Sequence, residues 1–317
     1  MSIGGYFELE LSNSGEYHNS ALRLNTGRNA FEYILRAKSY QKVFLPYFTC
    51  EVIFEPLQKL NIAYELYYID EKLQPIFDFN KMGKQDVFVY NNYFGLCDRQ
   101  VNEIAVKCKN LIIDNSQAFF SLPLPHIDTF YSPRKFFGLP DGAYLYIDRR
   151  LNSNLEQDVS MYRFEHLLGR IDINAEQYYD IFKKNNIELK NQPIKIMSEL
   201  TQKLLNSINY NEARKKRCAN FQFVHNRIRN SNLLNIELLD GSVPMLYPLL
   251  IKNGRKLKNK LIENDVFTAT YWPSVLEKTE SSDWEFFMVD NLVNIPIDQR
   301  YSENELILVL NLIEELR

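Results

Sequence analysis

Residues 111–120 read LIIDNSQAFF, a run of large apolar residues stopped by an acid and followed by a polar turn that carries an amide. Branched apolar residues in a short run bounded by turn formers predict a strand buried on both faces. Such strands belong to parallel sheets covered by helices. The Asp114 carboxylate then emerges where the strand stops, with Gln117 three residues beyond it. Ligands of open α/β sheets gather outside the carboxyl ends of the strands, so these ten residues predict a fold class and a site together.

The flanking sequence alternates as a parallel sheet requires. In NTGRNAFEYILRA (25–37) a polar cap and a glycine precede Ala30, Phe31, Ile34 and Leu35 at helical spacing, which predicts a helix beginning beside Gly27. KVFLP (42–46) reads as a strand, EVIFEPLQKL (51–60) as a helix despite Pro56, IAYELYYID (62–70) and DVFVYNNYF (86–94) as strands, and RQVNEIAVKCKN (99–110) as a helix. Two short β-like runs, DTFYS (128–132) and AYLYID (143–148), bracket Lys135 and place it in a connection between strands.

Beyond residue 150 the alternation lapses. MYRFEHLLGR (161–170), AEQYYDIFKKN (175–185) and IMSELTQKLLNSI (196–208) read as helices, and ARKKRCANFQFVHNRIRN (213–230) continues as a long amphipathic one. MLYPLLIK (245–252), the apolar run LVNIPI (292–297) and the helix ENELILVLNLIEELR (303–317) complete the chain. The expected architecture is α/β, a three-layer large domain around a mainly parallel sheet (residues 1–195), with a smaller C-terminal α+β domain (residues 196–317).

Composition narrows the function. With 317 residues, 45% hydrophobic content and a formal charge of -3, the chain has ample core and no polycationic field for nucleic acid or an acidic membrane. The basic run at 213–230 carries Phe221 and Val224 on its other face and reads as a solvated helix. Four cysteines without a CxxC pair (Cys50, Cys97, Cys108 and Cys218) read as reduced thiols, and His18, His126, His166 and His225 lack metal-ligand spacing. No leader-like segment or membrane-length apolar run is visible, so a cytoplasmic protein acting on small molecules is the expectation.

An acid (Asp114), an amide (Gln117), a hydroxyl (Ser132) and an amine (Lys135) thus converge on one sheet edge. Gly27 and Arg28 sit where a helix N-terminus offers free N–H groups to a phosphate. One cofactor needs this whole set. Pyridoxal 5'-phosphate requires a lysine for its Schiff base, a carboxylate to keep the pyridine nitrogen protonated, and donors for its phosphate. Simpler readings stand beside these: Asp114 as a helix cap, Arg28 as a surface cation, and Asn92 as a turn residue rather than a substrate contact. The Ser-x-x-Lys spacing also occurs in β-lactamases, but no SDN or KTG triplet accompanies it.

The blocks PYFTCEVIFEPLQKLNI, NNYFG, IIDNSQAFF and YSPRKFFGLPDGAYLYID, followed by LYPLLI, TYWP and NLVNIPIDQRYSENEL, resemble the DegT/StrS group of sugar aminotransferases, which have the aspartate aminotransferase fold (fold type I). The resemblance implies Asp114 on the pyridine nitrogen, Gln117 near the ring hydroxyl and Lys135 as the Schiff-base amine. It also implies Ser132 on the phosphate, although the group usually carries its serine five residues before the lysine, where this chain has Phe130. Other departures are Gly27-Arg28 in place of Gly-Thr, Cys50 in place of a stacking aromatic, and Ile194 at the asparagine that reaches across the dimer.

The resemblance further implies a homodimer, an amino-acid donor and a nucleotide-linked keto-sugar as acceptor, with Arg28 and Arg134 as the nearest cations for its diphosphate. The competing reading is a binding or scaffold protein that keeps the fold without turnover. A dehydratase using the same cofactor is disfavoured, because dehydratases of the group tend to replace the lysine by histidine.

Overall fold

The computed structural model describes residues 3–316. The chain begins its regular structure with β1 (Leu22–Leu24) and α1 (Gly27–Lys38), then β2 (Lys42–Pro46), α2 (Phe54–Leu60), β3 (Ala63–Ile69) and β4 (Pro75–Ile76). β5 (Asp86–Asn91), α3 (Asp98–Lys107), β6 (Leu111–Asp114), β7 (Asp128–Tyr131) and β8 (Ala143–Tyr146) follow. These strands form one sheet in the order β1-β8-β7-β6-β5-β2-β3-β4. The run from β7 through β6, β5 and β2 to β3 is parallel, whereas β8 is antiparallel to both its neighbours and β4 to β3.

Period-two alternation divides the sheet between two cores. Val43, Leu45, Val87, Val89 and Ile112 turn toward α1 and α2, while Phe44, Phe88, Tyr90 and Ile113 turn toward α3 and the C-terminal elements. Branched aliphatic residues dominate the face under the helix pair and aromatic residues, with Ile113, the opposite face, so both faces are apolar as a doubly covered sheet demands. α1 begins where expected because the Thr26 hydroxyl accepts the Asn29 N–H at 3.2 Å, a side-chain N-cap. Pro56 is tolerated in the first turn of α2, where its missing N–H has no intrahelical partner to lose.

The later chain forms α4 (Glu165–Asp172), α5 (Tyr179–Glu188), α6 (Glu199–Asn206) and α7 (Tyr210–Ile228). Then come β9 (Tyr247–Leu250), α8 (Gly254–Glu263), α9 (Trp284–Asn291), β10 (Leu292–Ile295) and α10 (Glu303–Leu316). β9 and β10 pair antiparallel, and their apolar residues join α7, α8 and α10 in the aromatic core that continues from the sheet. The mixed architecture expected from the sequence is therefore the one observed. β1, β4, α8 and α9 were not foreseen. The first two are only three and two residues long, too short to show a period. The four cysteines are free, and no helix among the described residues is long and apolar enough to cross a membrane.

The turn after β5 connects the two halves of this core. Gly95 has φ +70°, and a Cβ there would lie 2.6 Å from the Val243 carbonyl oxygen and 3.1 Å from that of Gln117. Left-handed strain and a backbone clash combine, so Gly95→Ala is expected to destabilise the fold by about 2–4 kcal/mol in urea unfolding. A change below about 0.5 kcal/mol, the scale of ordinary surface substitutions, would contradict the packing described.

Candidate active site

Because β2, β5, β6 and β7 run the same way, their carboxyl ends share one edge. Asn91 pairs with Asp114 and Asp114 with Phe130 in the ladder, which sets the three strand ends side by side. Lys135 follows on a single 3-10 turn, Pro133–Lys135. Asp114 is partly buried, and its Oδ1 accepts the Ser116 N–H at 2.7 Å. Loss of water pushes its carboxyl pKa up, against the opposing pull of the Lys135 charge. Lys135 itself is exposed and makes no direct ion pair among the described residues, so its amine is accessible while its field reaches Asp114.

Gln117 is held in the same crevice by the turn after β5. Its Oε1 accepts the Phe94 N–H at 3.0 Å, and its Nε2 is buried without a partner. An orphaned buried donor costs about 1–3 kcal/mol, so this amide lacks its acceptor, as Arg163 Nε and Trp284 Nε1 also do. Asn91 donates to Thr49 Oγ1 at 3.0 Å and so anchors the segment that follows β2.

The start of α1 closes one end of the crevice. A Cβ on Gly27 would lie 3.7 Å from both Ser116 Oγ and Ser132 Cβ, so three segments meet at the first helical residue. The N–H groups of Gly27 and Arg28 precede the first intrahelical bond, which runs from Ala30 to Thr26 at 2.9 Å. Free N–H groups, a positive dipole end and two hydroxyls suit a phosphate. Ser132 reaches this corner, whereas Phe130 packs on Phe31 of α1 with ring centroids 5.9 Å apart. Ser116 was missed by sequence reasoning, although its place two residues after Asp114 was a usable signal.

The remaining sequence candidates lie elsewhere. Arg28 donates to Glu55 Oε2 at 2.6 Å, and the other oxygen of Glu55 accepts the Asn191 N–H at 2.6 Å. That cation is therefore engaged in joining α1 to α2. Asn92 donates to Asp98 Oδ1 at 2.7 Å and accepts the Cys97 N–H at 3.1 Å, which is the turn reading rather than the substrate reading. Arg134 donates to Asn186 Oδ1 on α5, and burial lowers its pKa to about 10. The segment holding Ile194 lies beside the chain's own β1 and α1, with Pro193 O accepting from Asn25 and Asn29.

Near Cys50 the C-terminal part supplies aromatic rings. Trp272 meets Phe48 edge to face at 5.0 Å, and burial together with the nearby Cys50 thiol pushes the Tyr271 phenol up to about 12. The basic helix departs from expectation at one position, since Arg217 of α7 is 1% exposed and bonded rather than solvated.

Pyridoxal phosphate fits these residues. At this edge lie a carboxylate within electrostatic reach of an exposed amine, an amide N–H with nothing to donate to, and a helix start flanked by hydroxyls.

No protein-family model matches the chain, and no curated protein matches it in sequence. Solved structures do match. The sugar aminotransferase CalS13 from Micromonospora echinospora superposes with a TM-score of 0.64 at 14% identity, over 94% of this chain and 87% of CalS13. A DegT DnrJ EryC1 StrS aminotransferase from Brucella abortus gives 0.61 at 13% identity, over 93% and 85%. Spr1654 from Streptococcus pneumoniae, in its PLP-form, gives 0.64 at 12% identity, over 94% and 88%. Likeness at this level establishes the fold, which is that of the group the sequence resembles.

The raised pKa of Asp114 has a sign that can be measured. An acid whose pKa is higher in the folded than in the unfolded chain binds more protons when folded, so stability falls as pH rises through the unfolded value of about 4 toward the folded one. Asn carries no such charge. Cofactor-free Asp114→Asn is expected to melt above wild type at pH 7, with the difference vanishing below pH of about 4. A wild-type chain that is the more stable of the two at neutral pH would contradict the assignment.

Proposed function

We propose that the chain is a pyridoxal-phosphate-dependent aminotransferase that moves an amino group from an amino acid to a nucleotide-linked keto-sugar, and that it works as a homodimer. The observation carrying this reading is the crevice itself, with Asp114 within electrostatic reach of an accessible Lys135 and Gln117 Nε2 left without an acceptor. When bound, the cofactor supplies an electrophilic carbon and a ring that withdraws electrons from it. Lys135 would hold the cofactor at rest and, once displaced by the donor's amine, would carry the proton of the exchange. Asp114 would keep the ring nitrogen protonated, Gln117 would donate to the ring oxygen, and the start of α1 with Ser116 and Ser132 would receive the phosphate.

The cations support this choice of acceptor. Glu55 already compensates Arg28, whereas Arg134 donates to the neutral amide of Asn186 and forms no ion pair among the described residues, with the Asp141 carboxylate and the Arg28 cation both within electrostatic reach. A buried guanidinium without a bonded carboxylate suits a diphosphate better than a small keto acid. Pairing of subunits is supported by an apolar surface around α4 and α5, where Tyr162, Leu168, Ile171, Ile173 and Tyr179 are exposed.

Purified protein given pyridoxal phosphate is expected to show a visible absorption band that glutamate bleaches. In Lys135→Ala, amine transfer should fall by about 10²–10⁴-fold or more, the scale of a lost general acid–base. A band that glutamate leaves untouched would favour the binding-protein reading, and unchanged transfer in Lys135→Ala would overturn the assignment of the lysine.

A nucleoside diphosphate is expected to compete with the acceptor, and Arg134→Ala to weaken that inhibition about tenfold, as for a lost hydrogen bond to a charged group. Absence of inhibition, with a simple keto acid accepted efficiently, would replace the sugar nucleotide by an ordinary keto acid.

A further inference from the structure

The turn that carries Lys135 is held from the C-terminal part of the chain as well as from the sheet. Arg217 Nη2 donates to the Phe136 carbonyl at 3.1 Å, and the guanidinium carbon lies 4.6 Å over the Phe136 ring. Gln299, between β10 and α10, donates through Nε2 to the same carbonyl at 2.9 Å and accepts Arg217 Nε at 2.7 Å. The carbonyl one residue after Lys135 therefore receives two side-chain donors that are themselves bonded to each other. Arg217 Nη1 completes the set on the carbonyls of Met245, at 2.8 Å, and Pro244, at 3.3 Å.

This is an unusual use of a buried cation. A desolvated guanidinium normally sits on a carboxylate, because neutral oxygens compensate its charge less well. Here every hydrogen bond goes to a neutral oxygen, while the nearby Asp298 carboxylate is engaged by Arg300 at 2.7 and 2.9 Å. An apolar side chain would fill the space at less cost, so the gain lies in direction rather than stability. The planar fork addresses two segments at once. One is the lysine turn. The other is 244–245, where the Met245 N–H bonds the Phe94 carbonyl at 2.8 Å, next to the Phe94 N–H that orients Gln117.

We propose that Arg217, with Gln299, is a positioning residue for Lys135: by fixing the Phe136 carbonyl and ring it sets the backbone from which the lysine departs, and so the direction of its amine toward the Asp114 crevice. This rests on the reading of Lys135 as the cofactor-bonding amine, and the test separates the two.

Arg217→Lys keeps the charge but loses the fork, and Gln299→Leu removes the second donor while leaving the guanidinium in place. In each, borohydride-fixed attachment of pyridoxal phosphate at Lys135 is expected to slow by about tenfold or more, as for a displaced reacting group. Affinity for pyridoxamine phosphate, which lacks the aldehyde, should stay within about twofold, since attachment geometry rather than the pocket has changed. In the cofactor-free chain, trace acetylation of Lys135 relative to the exposed Lys109 should shift by about threefold or more, because the amine has a new surrounding. Unchanged attachment and labelling, or attachment and pyridoxamine phosphate affinity falling in parallel, would overturn the proposal. If wild type attaches no cofactor, the aminotransferase reading fails and the labelling arm alone decides. If Arg217→Lys does not fold, Gln299→Leu decides by the same readouts.

Discussion

Parallel hydrogen bonding from β3 through β2, β5 and β6 to β7 makes these strands stop at a single edge, where backbone groups lose the ladder and need other partners. The polar side chains of the crevice meet part of that need. Asp114 takes the Ser116 N–H, Gln117 takes the Phe94 N–H, and Asn91 donates to the Phe48 carbonyl as well as to the Thr49 hydroxyl. Each is thereby fixed in direction before any ligand arrives, and each keeps a second polar atom or charge for something else. A polar arrangement of this kind is one consequence of satisfying a strand edge with long polar side chains.

The same edge carries the costs. Asp114 is desolvated without a directly bonded cation, and Gln117 buries a donor that has no acceptor. Arg217 is buried on neutral oxygens. None of these is the most stable choice for its place, and all three lie near the Lys135 turn, while further buried polar atoms without a partner, such as Trp284 Nε1 and Glu285 Oε2, lie elsewhere in the chain. Natural folds depart from local optimality where function requires it. The aliphatic core between the sheet and α1–α2 anchors the strands, and α1 beside it buries Asn29 with one unpartnered oxygen.

Much of the fold was legible because it depends on period. Strands β2, β3, β5, β6, β7 and β8 and helices α1, α3 and α7 carry the two-residue or 3.6-residue patterns that burial imposes. The convergence of Asp114, Gln117, Ser132 and Lys135 on one edge was read from strand order, and the place of Gly27 from the start of a helix. What stayed hidden depends on partners distant in sequence. Arg28 looked free because Glu55 lies 27 residues away, whereas the main partners of Asn92, Asp98 and the Cys97 N–H, are within six residues and match the turn reading open from the sequence. Arg217 was grouped with its basic neighbours, yet it sits four and seven residues before Phe221 and Val224 on the buried stripe of α7. A charged residue at an apolar period was the signal there.

The pairing of Lys135 with Asp114 over one cofactor is tested most directly by locating the bond. Wild-type chain incubated with pyridoxal phosphate, reduced with borohydride and digested is predicted to carry the added mass on a single peptide, the one containing Lys135. Label spread over several exposed lysines, or concentrated on a lysine outside the crevice, would contradict it.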